Sequence, residues 1–415
     1  MFKLAHLSDI HAGYKATNHL TPKGINLRES DGYLTFSRIV KDMIENEVNA
    51  VVIAGDIFHS PTPSVRSIVF VQNQFRRLSE AGIPVYALAG NHDTNDIRAD
   101  VAASMILDDP FRKIFSHAEP YVRHEIADSI NLHMVSHHGY ADQKETMGQI
   151  VPVENSINIF TTHGSCIDPI LKMKLHAEHS PREVVIPDAL LRDHSWDYTL
   201  LGHIHERGWV GSKDKKTDTS DSKVYYNGSI IRRGFSDKDV PLGKGWTLWQ
   251  IDSSGVFTPT FRRVAQRPQY DFDPIDASNL SGEEITEKIL ENLQTTQTDG
   301  INFDMKSAPI VRQVVNNFSV AKRRAIDWQA VSLNSQHTAH WDLKGNMNII
   351  EKADSTDSNN PLKEVDNNAD VLKVYDSWAT KSSVIKELDE DMKTKVKQQA
   401  RDFVRLGQEE VLDLE

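Results

Sequence analysis

The sequence predicts an α/β sandwich, followed by a small α+β domain and a C-terminal helical tail. Short apolar runs alternate with amphipathic, helix-like stretches from residue 1 to about residue 265, which is typical of α/β folds. The pattern changes near Arg267-Pro268, where a β-α-β-α-β order begins. A polar segment at 353–368 separates these two domains from a last amphipathic stretch.

The first domain is expected to span residues 1–267. Residues 31–49 and 65–81 carry apolar side chains at helical spacing, and Gly82 is a typical helix stop. Buried strands are predicted for five short apolar runs, 2–7, 50–54, 84–89, 157–161 and 198–201. Two later segments rich in Tyr, Val, Trp and Thr are predicted as hairpin strands, 223–227 and 245–251.

The second domain is expected to span residues 268–352. The run Ser281-Gly282-Glu283-Glu284 looks like a capping box that opens a helix. A strand at 309–318, a second helix at 320–332 and a strand at 340–350 are predicted to follow.

The tail is expected to bury one apolar face. Residues 353–368 are rich in Asp, Ser and Asn and are predicted to be a linker, so the tail spans 369–415. Burial of each large apolar side chain is worth ~1.5–3 kcal/mol. Because the linker makes docking on the chain itself optional, a groove on a partner is favoured over a fixed position on the second domain. The face contains Ile385, Leu388, Met392, Val396, Ala400 and Phe403.

Composition excludes several classes of protein. No stretch approaches the ~20 apolar residues of a membrane span, and the N-terminus lacks the features of a secretory signal. Cys166 is the single cysteine, so it is expected to be a buried filler in a protein of the reducing cytoplasm. The net charge of -12 argues against a protein that coats DNA. It does not exclude an enzyme that neutralises phosphate with bound cations.

Polar side chains with metal-binding chemistry follow five predicted strands. Loops at the carboxyl ends of strands converge on one crevice in an open α/β sheet, so these side chains are expected to meet. Neutral imidazole and carboxylate suit manganese, iron or zinc, while the lack of thiolates argues against a structural zinc site. The clusters are Asp9-Ile10-His11, Gly55-Asp56-Ile57-Phe58-His59, Gly90-Asn91-His92-Asp93, Thr162-His163-Gly164 and Gly202-His203-Ile204-His205.

Together these clusters resemble the signature of the calcineurin-like metallophosphoesterases along the whole first domain. A narrower resemblance depends on His59 within GDIFHSP at 55–61, on NGSIIRRGF at 227–235 before Lys244-Gly245-Trp246, and on LRESD at 27–31. With these stretches the chain is similar to the SbcD-type DNA-repair nucleases, relatives of the eukaryotic break-repair nuclease. The resemblance covers residues 1 to about 265. It implies a metallophosphoesterase sandwich with a small capping, DNA-binding domain at 268–352.

The resemblance implies two divalent metal ions, with manganese expected, that activate a shared water for attack on phosphorus. The implied ligands are Asp9, His11, Asp56 and His205 for one ion, and Asp56, Asn91, His163 and His203 for the other, with Asp56 bridging.

It also implies roles for residues around the metals. His92 would bind a phosphate oxygen or protonate the leaving oxygen. Asp93 would orient His92, or alternatively cap a turn, and His59 would orient the phosphate, or alternatively cap the following helix. Arg232 and Arg233 are expected to contact DNA phosphates, with ordinary salt bridges as the alternative.

The implied function is a manganese-dependent exonuclease on duplex DNA and endonuclease on single strands, in break repair or recombination. The family acts with an SbcC-type coiled-coil ATPase that binds the C-terminal helices, and a homodimer is expected. One alternative is a phosphatase or phosphodiesterase for small nucleotides or phosphoproteins. Another is a binding scaffold without catalysis, although the complete set of ligand types argues against it.

Overall fold

The structure, a computed structural model, describes residues 1–16, 18–94, 102–108, 114–117, 119–166, 184–191, 196–211, 222–235, 243–252, 254–296 and 308–346. The predicted linker and tail, 353–415, lie outside these residues. Among the helices described, none has the length and apolar character to cross a membrane.

The strands are β1 (Phe2–Leu7), β2 (Ala50–Ile53), β3 (Val85–Leu88), β4 (Ile114–His117), β5 (Tyr121–Ala127), β6 (Ile130–Val135), β7 (Ile157–His163), β8 (Ser165–Cys166), β9 (Val185–Ile186), β10 (Tyr198–Gly202), β11 (Gly208–Trp209), β12 (Val224–Tyr226), β13 (Gly245–Ile251), β14 (Phe257–Arg263), β15 (Gln269–Asp276), β16 (Ile310–Asn316) and β17 (His340–Asn346). The helices are α1 (Leu27–Glu45), α2 (Val65–Glu80), α3 (Gln143–Gln149), α4 (Asp188–Leu191), α5 (Gly282–Thr295), α6 (Val320–Arg324) and α7 (Trp328–Asn334), with 3₁₀ turns at Ala103–Leu107 and His137–Tyr140.

Two six-stranded sheets carry most of the strands. The first has the order β14-β13-β1-β2-β3-β4, in which β1 to β4 are parallel and β13 is antiparallel to both β1 and β14. The second has the order β11-β12-β10-β7-β6-β5, with four parallel strands between two antiparallel edges. Both sheets therefore present parallel strand ends, where functional loops gather.

Successive side chains of β1 point to opposite faces of the first sheet, and each face has its own hydrophobic core. Leu4 points between the sheets and belongs to a core that includes Trp249 of the first sheet and Leu132 and Leu200 of the second. On the other face, Leu7 belongs to a core beneath the first two helices, together with Phe36, Ile39, Val71 and Phe75.

A third core covers the outer face of the second sheet. Its members come from the second sheet, the 3₁₀ turn after β6, the two-stranded sheet β8-β9, α4 and the residues just before β10. They include Val135, Tyr140, Phe160, Cys166, Leu191, Trp196 and Leu201. The layers are therefore helix, sheet, sheet, helix, which confirms the predicted α/β sandwich. Cys166 is buried, as expected for a small filler.

Helix α1 begins earlier than predicted because of its cap. The side chain of Asn26 accepts hydrogen bonds from the backbone amides of Arg28 (3.0 Å) and Glu29 (3.4 Å), so the helix starts at Leu27 and not at residue 31. It also ends before residue 49, since Glu47 has a φ of +53°, outside the helical region.

The two segments predicted as hairpin strands, β12 and β13, are strands that do not pair with each other. The first lies beside β10 in the second sheet, and the other lies between β1 and β14 in the first sheet. Apolar composition identifies a buried strand but not its sheet, since both sheets are covered on both faces.

The later part of the chain contains a three-stranded sheet of order β15-β16-β17. The predicted capping box is present: Ser281 Oγ accepts from the Glu284 amide (3.2 Å), and a Glu284 carboxylate oxygen accepts from the Ser281 amide (2.7 Å). The helix predicted at 320–332 is two helices, α6 and α7, because the carboxylate of Asp327 accepts from the Ala330 amide (2.9 Å) and opens a new one.

The chain divides into two compact units. Of the residues that the structure describes, one unit comprises those within 1–273, 286–314 and 327–344, and the other comprises those within 274–285, 315–326 and 345–346. The domain boundary at 267/268 stays a prediction.

Candidate metal centre

The five polar clusters lie at the carboxyl ends of five strands. Asp9 follows β1, Asp56 follows β2 and Asn91 follows β3. In the second sheet, His163 is the last residue of β7, and His203 follows β10. The strands are parallel within each sheet, so their ends meet at one edge. The structure brings the seven predicted ligand residues into one group.

The backbone at four of the seven candidate ligand residues adopts the left-handed region. The φ angles are +53° at Asp9, +46° at His11, +54° at Asp56 and +98° at His203. Each such angle costs a non-glycine residue about 1–3 kcal/mol, and surrounding bonds must hold it. Here the amide of Asp9 donates to the Gly55 carbonyl (3.1 Å), and the amide of His11 donates to the Asp56 carbonyl (3.0 Å). Strain is thus concentrated where the ligands are presented.

Two glycines give the ligands room. Gly55 has a φ of +86°, and a Cβ there would overlap the ring of His163. A Cβ on Gly90 would overlap the carboxylate and the backbone nitrogen of Asp56. Glycine is therefore required at both positions for the ligands to approach each other.

A first group of donor atoms surrounds His11. Its Nε2 lies 3.9 Å from Asp9 Oδ1, 3.5 Å from Asp56 Oδ2 and 3.2 Å from His205 Nε2. The same His205 nitrogen lies 3.6 Å from Asp9 Oδ1. All four side chains face one small volume.

A second group surrounds His163. Its Nε2 lies 3.4 Å from Asp56 Oδ2 and 2.9 Å from Asn91 Oδ1. His203 Nδ1 lies 3.1 Å from the same Asn91 oxygen. The Nδ1 of His163 donates to the Ala54 carbonyl (2.8 Å), so Nε2 is the nitrogen that could bind a cation.

The donor set fits two divalent cations. A cation about 2.1 Å from two donors at tetrahedral or octahedral angles keeps those donors about 3.0–3.5 Å apart. Most separations in both groups fall near that range. Asp56 Oδ2 belongs to both groups, so one carboxylate would be shared by two ions. The donors are nitrogen and oxygen atoms only, which suits manganese, iron or zinc.

Burial favours the neutral form of three of the four histidines in the donor groups. It lowers the pKa of His203 to about 3, and it lowers the pKa values of His11 and His205 well below the usual range, with further lowering by the charge of Arg233. Burial also lowers the pKa of His163, but the charges of Asp56 and Asp9 and the hydrogen bonds to Asp56 and to the Ala54 carbonyl together outweigh it and raise that pKa to about 9. His163 must therefore lose a proton to bind a cation.

The two carboxylates respond differently to burial. Burial raises the pKa of Asp9, with a further rise from the charge of Asp56. It also favours the neutral form of Asp56, but the neighbouring His163 and His11 outweigh it and hold the pKa of Asp56 well below its usual range. Asp56 is therefore ionised at neutral pH.

His59 and His92 lie together at the rim of the donor groups. Their rings are stacked, with centroids 5.3 Å apart and an interplanar angle of 18°. His92 Nδ1 donates to the His59 carbonyl (3.0 Å), so the Nε2 of a neutral His92 ring carries a lone pair. His59 Nδ1 lies 3.4 Å from His11 Nδ1. If His11 ligates through Nε2, its Nδ1 donates to His59, and His59 then presents an N–H at Nε2.

Asp93 contacts backbone amides. Its carboxylate accepts from the amides of Phe58 (2.9 Å), Gly90 (2.9 Å) and Ile57 (3.2 Å). These contacts support the turn-capping alternative over the orientation of His92. Burial and the charge of Asp56 raise the pKa of Asp93 to about 7.

The two arginines face different surroundings. Arg233 Nη2 donates to His205 Nδ1 (2.9 Å), so Arg233 lies at the site. Arg232 Nη1 donates to the Gln269 carbonyl (3.1 Å), and its own carbonyl accepts from Arg28. Arg232 therefore has structural contacts, and Arg233 is the one beside the metal ligands.

Sequence reasoning gave no role to two other residues of the site. Lys244 is buried, and its Nζ donates to the carbonyl of His205 (2.7 Å). The hydroxyl of Tyr14 donates to the carbonyl of Arg233 (2.5 Å), and its ring meets His59 edge-to-face at 5.1 Å. Lys244 lies in a stretch that carried the resemblance, but no spacing rule identifies a buried lysine.

The sequence matches a known protein family and is similar to several known proteins. A family model described as Calcineurin-like phosphoesterase matches residues 2–216, more than half of the 415 residues. The DNA double-strand break repair protein Mre11 of Sulfurisphaera tokodaii is 27% identical over 329 residues, 76% of this chain and 78% of that protein. The protein of the same name from Archaeoglobus fulgidus is 24% identical over 72% of this chain and 67% of its own length. Among solved structures, a dimetal phosphatase from Danio rerio aligns with a TM-score of 0.35 and 10% identity over 61% of this chain and 93% of that one.

Proposed function

Because the chain belongs to the calcineurin-like phosphoesterase family, we propose that it is a metal-dependent DNA nuclease of break repair or recombination. The substrate proposal is supported by relatives named as DNA double-strand break repair proteins, which align with about three quarters of this chain. In finer detail, we propose exonuclease activity on duplex DNA and endonuclease activity on single strands, with Mn²⁺ as the cation.

The position of Asp56 between the two donor groups is the main support for a metal-dependent reaction. Its Oδ2 lies 3.5 Å from His11 Nε2 and 3.4 Å from His163 Nε2, so one carboxylate faces both donor groups. When bound, two cations at these groups supply positive charge to the phosphate and lower the pKa of a shared water. That chemistry requires no nucleophilic side chain, which is consistent with the burial of Cys166.

The residues at the rim complete the proposed reaction. Hydrolysis joins a water oxygen to phosphorus and breaks the bond from phosphorus to the leaving oxygen, which must then take a proton. His92 supplies that proton from Nε2 when its ring is doubly protonated, because Nδ1 is committed to the His59 carbonyl. His59 donates from Nε2 to a phosphate oxygen. Its pKa is lowered to about 4 by burial and by the charges of His92 and Arg233, so it acts as a neutral donor.

Cleavage assays with matched substrates test this proposal. Purified protein with Mn²⁺ is incubated with end-labelled duplex DNA, with circular single-stranded DNA and with a chromogenic phosphodiester. We expect both DNAs to be cut, cleavage to stop with a chelator, and Asp56→Asn to be inactive. Rapid turnover of the small phosphodiester beside intact DNA would support the small-nucleotide alternative. No turnover of any substrate, with metals bound, would support the scaffold alternative.

We also propose partners for this activity. The tail at 369–415, which lies outside the described residues, is proposed to bind an SbcC-type coiled-coil ATPase. A homodimer is proposed as well, with support from Val65 and Val69, one turn apart on α2, which are 75% and 48% exposed. The single cysteine supports a cytoplasmic site of action.

A further inference from the structure

The segment 229–235, which carries Arg233 to the metal centre, belongs to no helix or strand among the described elements. Side chains hold its backbone in place of a strand ladder, because four successive carbonyls each accept a hydrogen bond from a side chain. The carbonyl of Ile230 accepts from Gln266 Nε2 (3.2 Å), that of Ile231 from Ser229 Oγ (2.8 Å), that of Arg232 from Gln269 Nε2 (3.3 Å) and from Arg28 Nη2, and that of Arg233 from the Tyr14 hydroxyl (2.5 Å). Pairing at every step fixes the course of an irregular segment.

Arg28, which bonds the carbonyl of Arg232, belongs to a buried cluster of ions. Its Nη1 donates to Asp31 Oδ2 (2.7 Å), and the same carboxylate accepts from Arg267 Nε (2.8 Å) and Nη2 (2.9 Å). The side chains of Arg28 and Arg267 are 4% and 3% exposed, and that of Asp31 is 11% exposed. A buried guanidinium must keep its partner, because an uncompensated buried charge is strongly destabilising. Asp31 therefore orients Arg28 towards the segment.

The stretch LRESD at 27–31 thus contacts the segment at two points. Arg28 bonds the carbonyl of Arg232, and Leu27 belongs to a small buried core against which Phe235 packs. These contacts lie on both sides of Arg233 in the sequence. The stretch carried part of the family resemblance, and its contacts assign it a role as the support of the segment.

We propose that Arg28 and Asp31 are positioning residues, which hold Arg233 where it binds a phosphate oxygen of the substrate. Arg233 Nη2 lies 2.9 Å from His205 Nδ1, so the guanidinium is beside the first donor group. A guanidinium binds phosphate through a planar fork, so the interaction depends on orientation as well as charge. The inference rests on the proposed function, in which the substrate is a phosphodiester. Loss of the support should weaken phosphate binding and leave the metal content unchanged, because all seven candidate metal ligands lie outside 27–31 and 229–235.

A double-mutant cycle on phosphate affinity tests this inference. Asp31→Asn, Arg233→Gln and the double variant are loaded with Mn²⁺ and titrated with inorganic phosphate by calorimetry. Each single substitution is expected to lower the affinity by about ten-fold, the usual effect of losing a charged hydrogen bond. The double variant should bind phosphate no more weakly than Arg233→Gln, because Asp31 acts through Arg233. The matched control is Asp42→Asn, which also removes a carboxylate of α1 that accepts from an arginine, here Arg262 Nη2 (2.8 Å), and it should keep the wild-type affinity.

A merely structural role of Asp31 predicts a different result, in which Asp31→Asn lowers the affinity equally with and without Arg233. Such additive effects overturn the proposal, and so does wild-type affinity in Asp31→Asn or a loss of bound Mn²⁺ by elemental analysis. If thermal unfolding shows that Asp31→Asn is not folded, Arg28→Lys takes its place in the cycle. A lysine keeps a charge beside Asp31 but lacks the second nitrogen of the fork, so phosphate should bind more weakly, and wild-type affinity overturns the proposal.

Phosphate binding by the wild-type protein is the remaining condition of the inference. If the Mn²⁺-loaded wild type binds no phosphate, Arg233 has no phosphate to receive and the proposal is overturned. None of these titrations uses DNA, so a failure of the nuclease proposal would appear separately, in the cleavage assays.

Discussion

His92→Gln is expected to remove most DNA cleavage while both metal ions stay bound. A positioned acid contributes about 10²–10⁴-fold to a rate, so kcat should fall by that factor. The ring of His92 meets the ring of His11 edge-to-face, with centroids 4.8 Å apart, but its hydrogen bond to the donor groups comes from the backbone. The His92 amide donates to Asp56 Oδ1 (2.9 Å), and this bond persists whatever the side chain. The glutamine amide can replace the ring in the bond to the His59 carbonyl (3.0 Å). The free energy of unfolding should therefore change by about 1 kcal/mol or less.

The assay combines single-turnover cleavage of a labelled duplex at saturating Mn²⁺ with metal analysis and thermal unfolding of the same preparation. His124→Gln, on the edge strand β5, is the matched control and should cleave at the wild-type rate. Loss of a metal ion together with activity would place His92 among the ligands. Wild-type cleavage by His92→Gln would refute its role in proton transfer.

Four further results are expected. Asp56→Asn should lose at least one of two bound Mn²⁺ ions and all metal-dependent cleavage; full metal content by elemental analysis would contradict the sharing of this carboxylate. Asp93→Ala leaves three buried amides without their acceptor and should lower the free energy of unfolding by about 3 kcal/mol or more, as measured by urea denaturation. A loss below ~1 kcal/mol would show that these bonds are unimportant. Because Asp56 raises the pKa of His163 to about 9 against the effect of burial, a proton must leave before a cation binds. Mn²⁺ affinity should therefore rise as the pH rises towards 9, with proton release detected by calorimetry in two buffers; affinity independent of pH would refute this. Truncation at Asn360 should leave a folded, metal-loaded enzyme that still cuts short single-stranded or nicked DNA but loses ATP-stimulated cleavage with a coiled-coil partner. Unfolding of that variant would place the apolar face of the tail in the chain's own core.

The central strands could be predicted because they are buried on both faces. The run at 2–7 is β1 without change, since apolar content marks such strands. The segment at 245–251, predicted from its content of Trp and Thr, is β13. The edge strands β5 and β14 were not predicted, because one side of each meets solvent and carries polar residues. The pairing of β13 with β1 was also beyond the sequence, since it joins residues as far apart as Phe2 and Ile251.

The gathering of Asp9, Asp56 and His163 could be predicted because the carboxyl ends of parallel strands meet. The hydrogen bonds around them could not. The amides of Ile57 and Phe58 approach Asp93 only in the folded chain. The sequence therefore left two roles open for Asp93, the capping of a turn and the orientation of His92. The contact of Arg233 with His205 likewise joins residues 28 apart in the sequence.

The site itself is tested most directly by anomalous diffraction at the manganese edge from crystals grown with Mn²⁺. Two manganese peaks are expected in each chain, separated by about 4 Å, with the carboxylate of Asp56 between them. The ligands should be Asp9, His11, Asp56 and His205 for one ion, and Asp56, Asn91, His163 and His203 for the other. A single peak in a fully active enzyme, or two peaks that do not share Asp56, would contradict it.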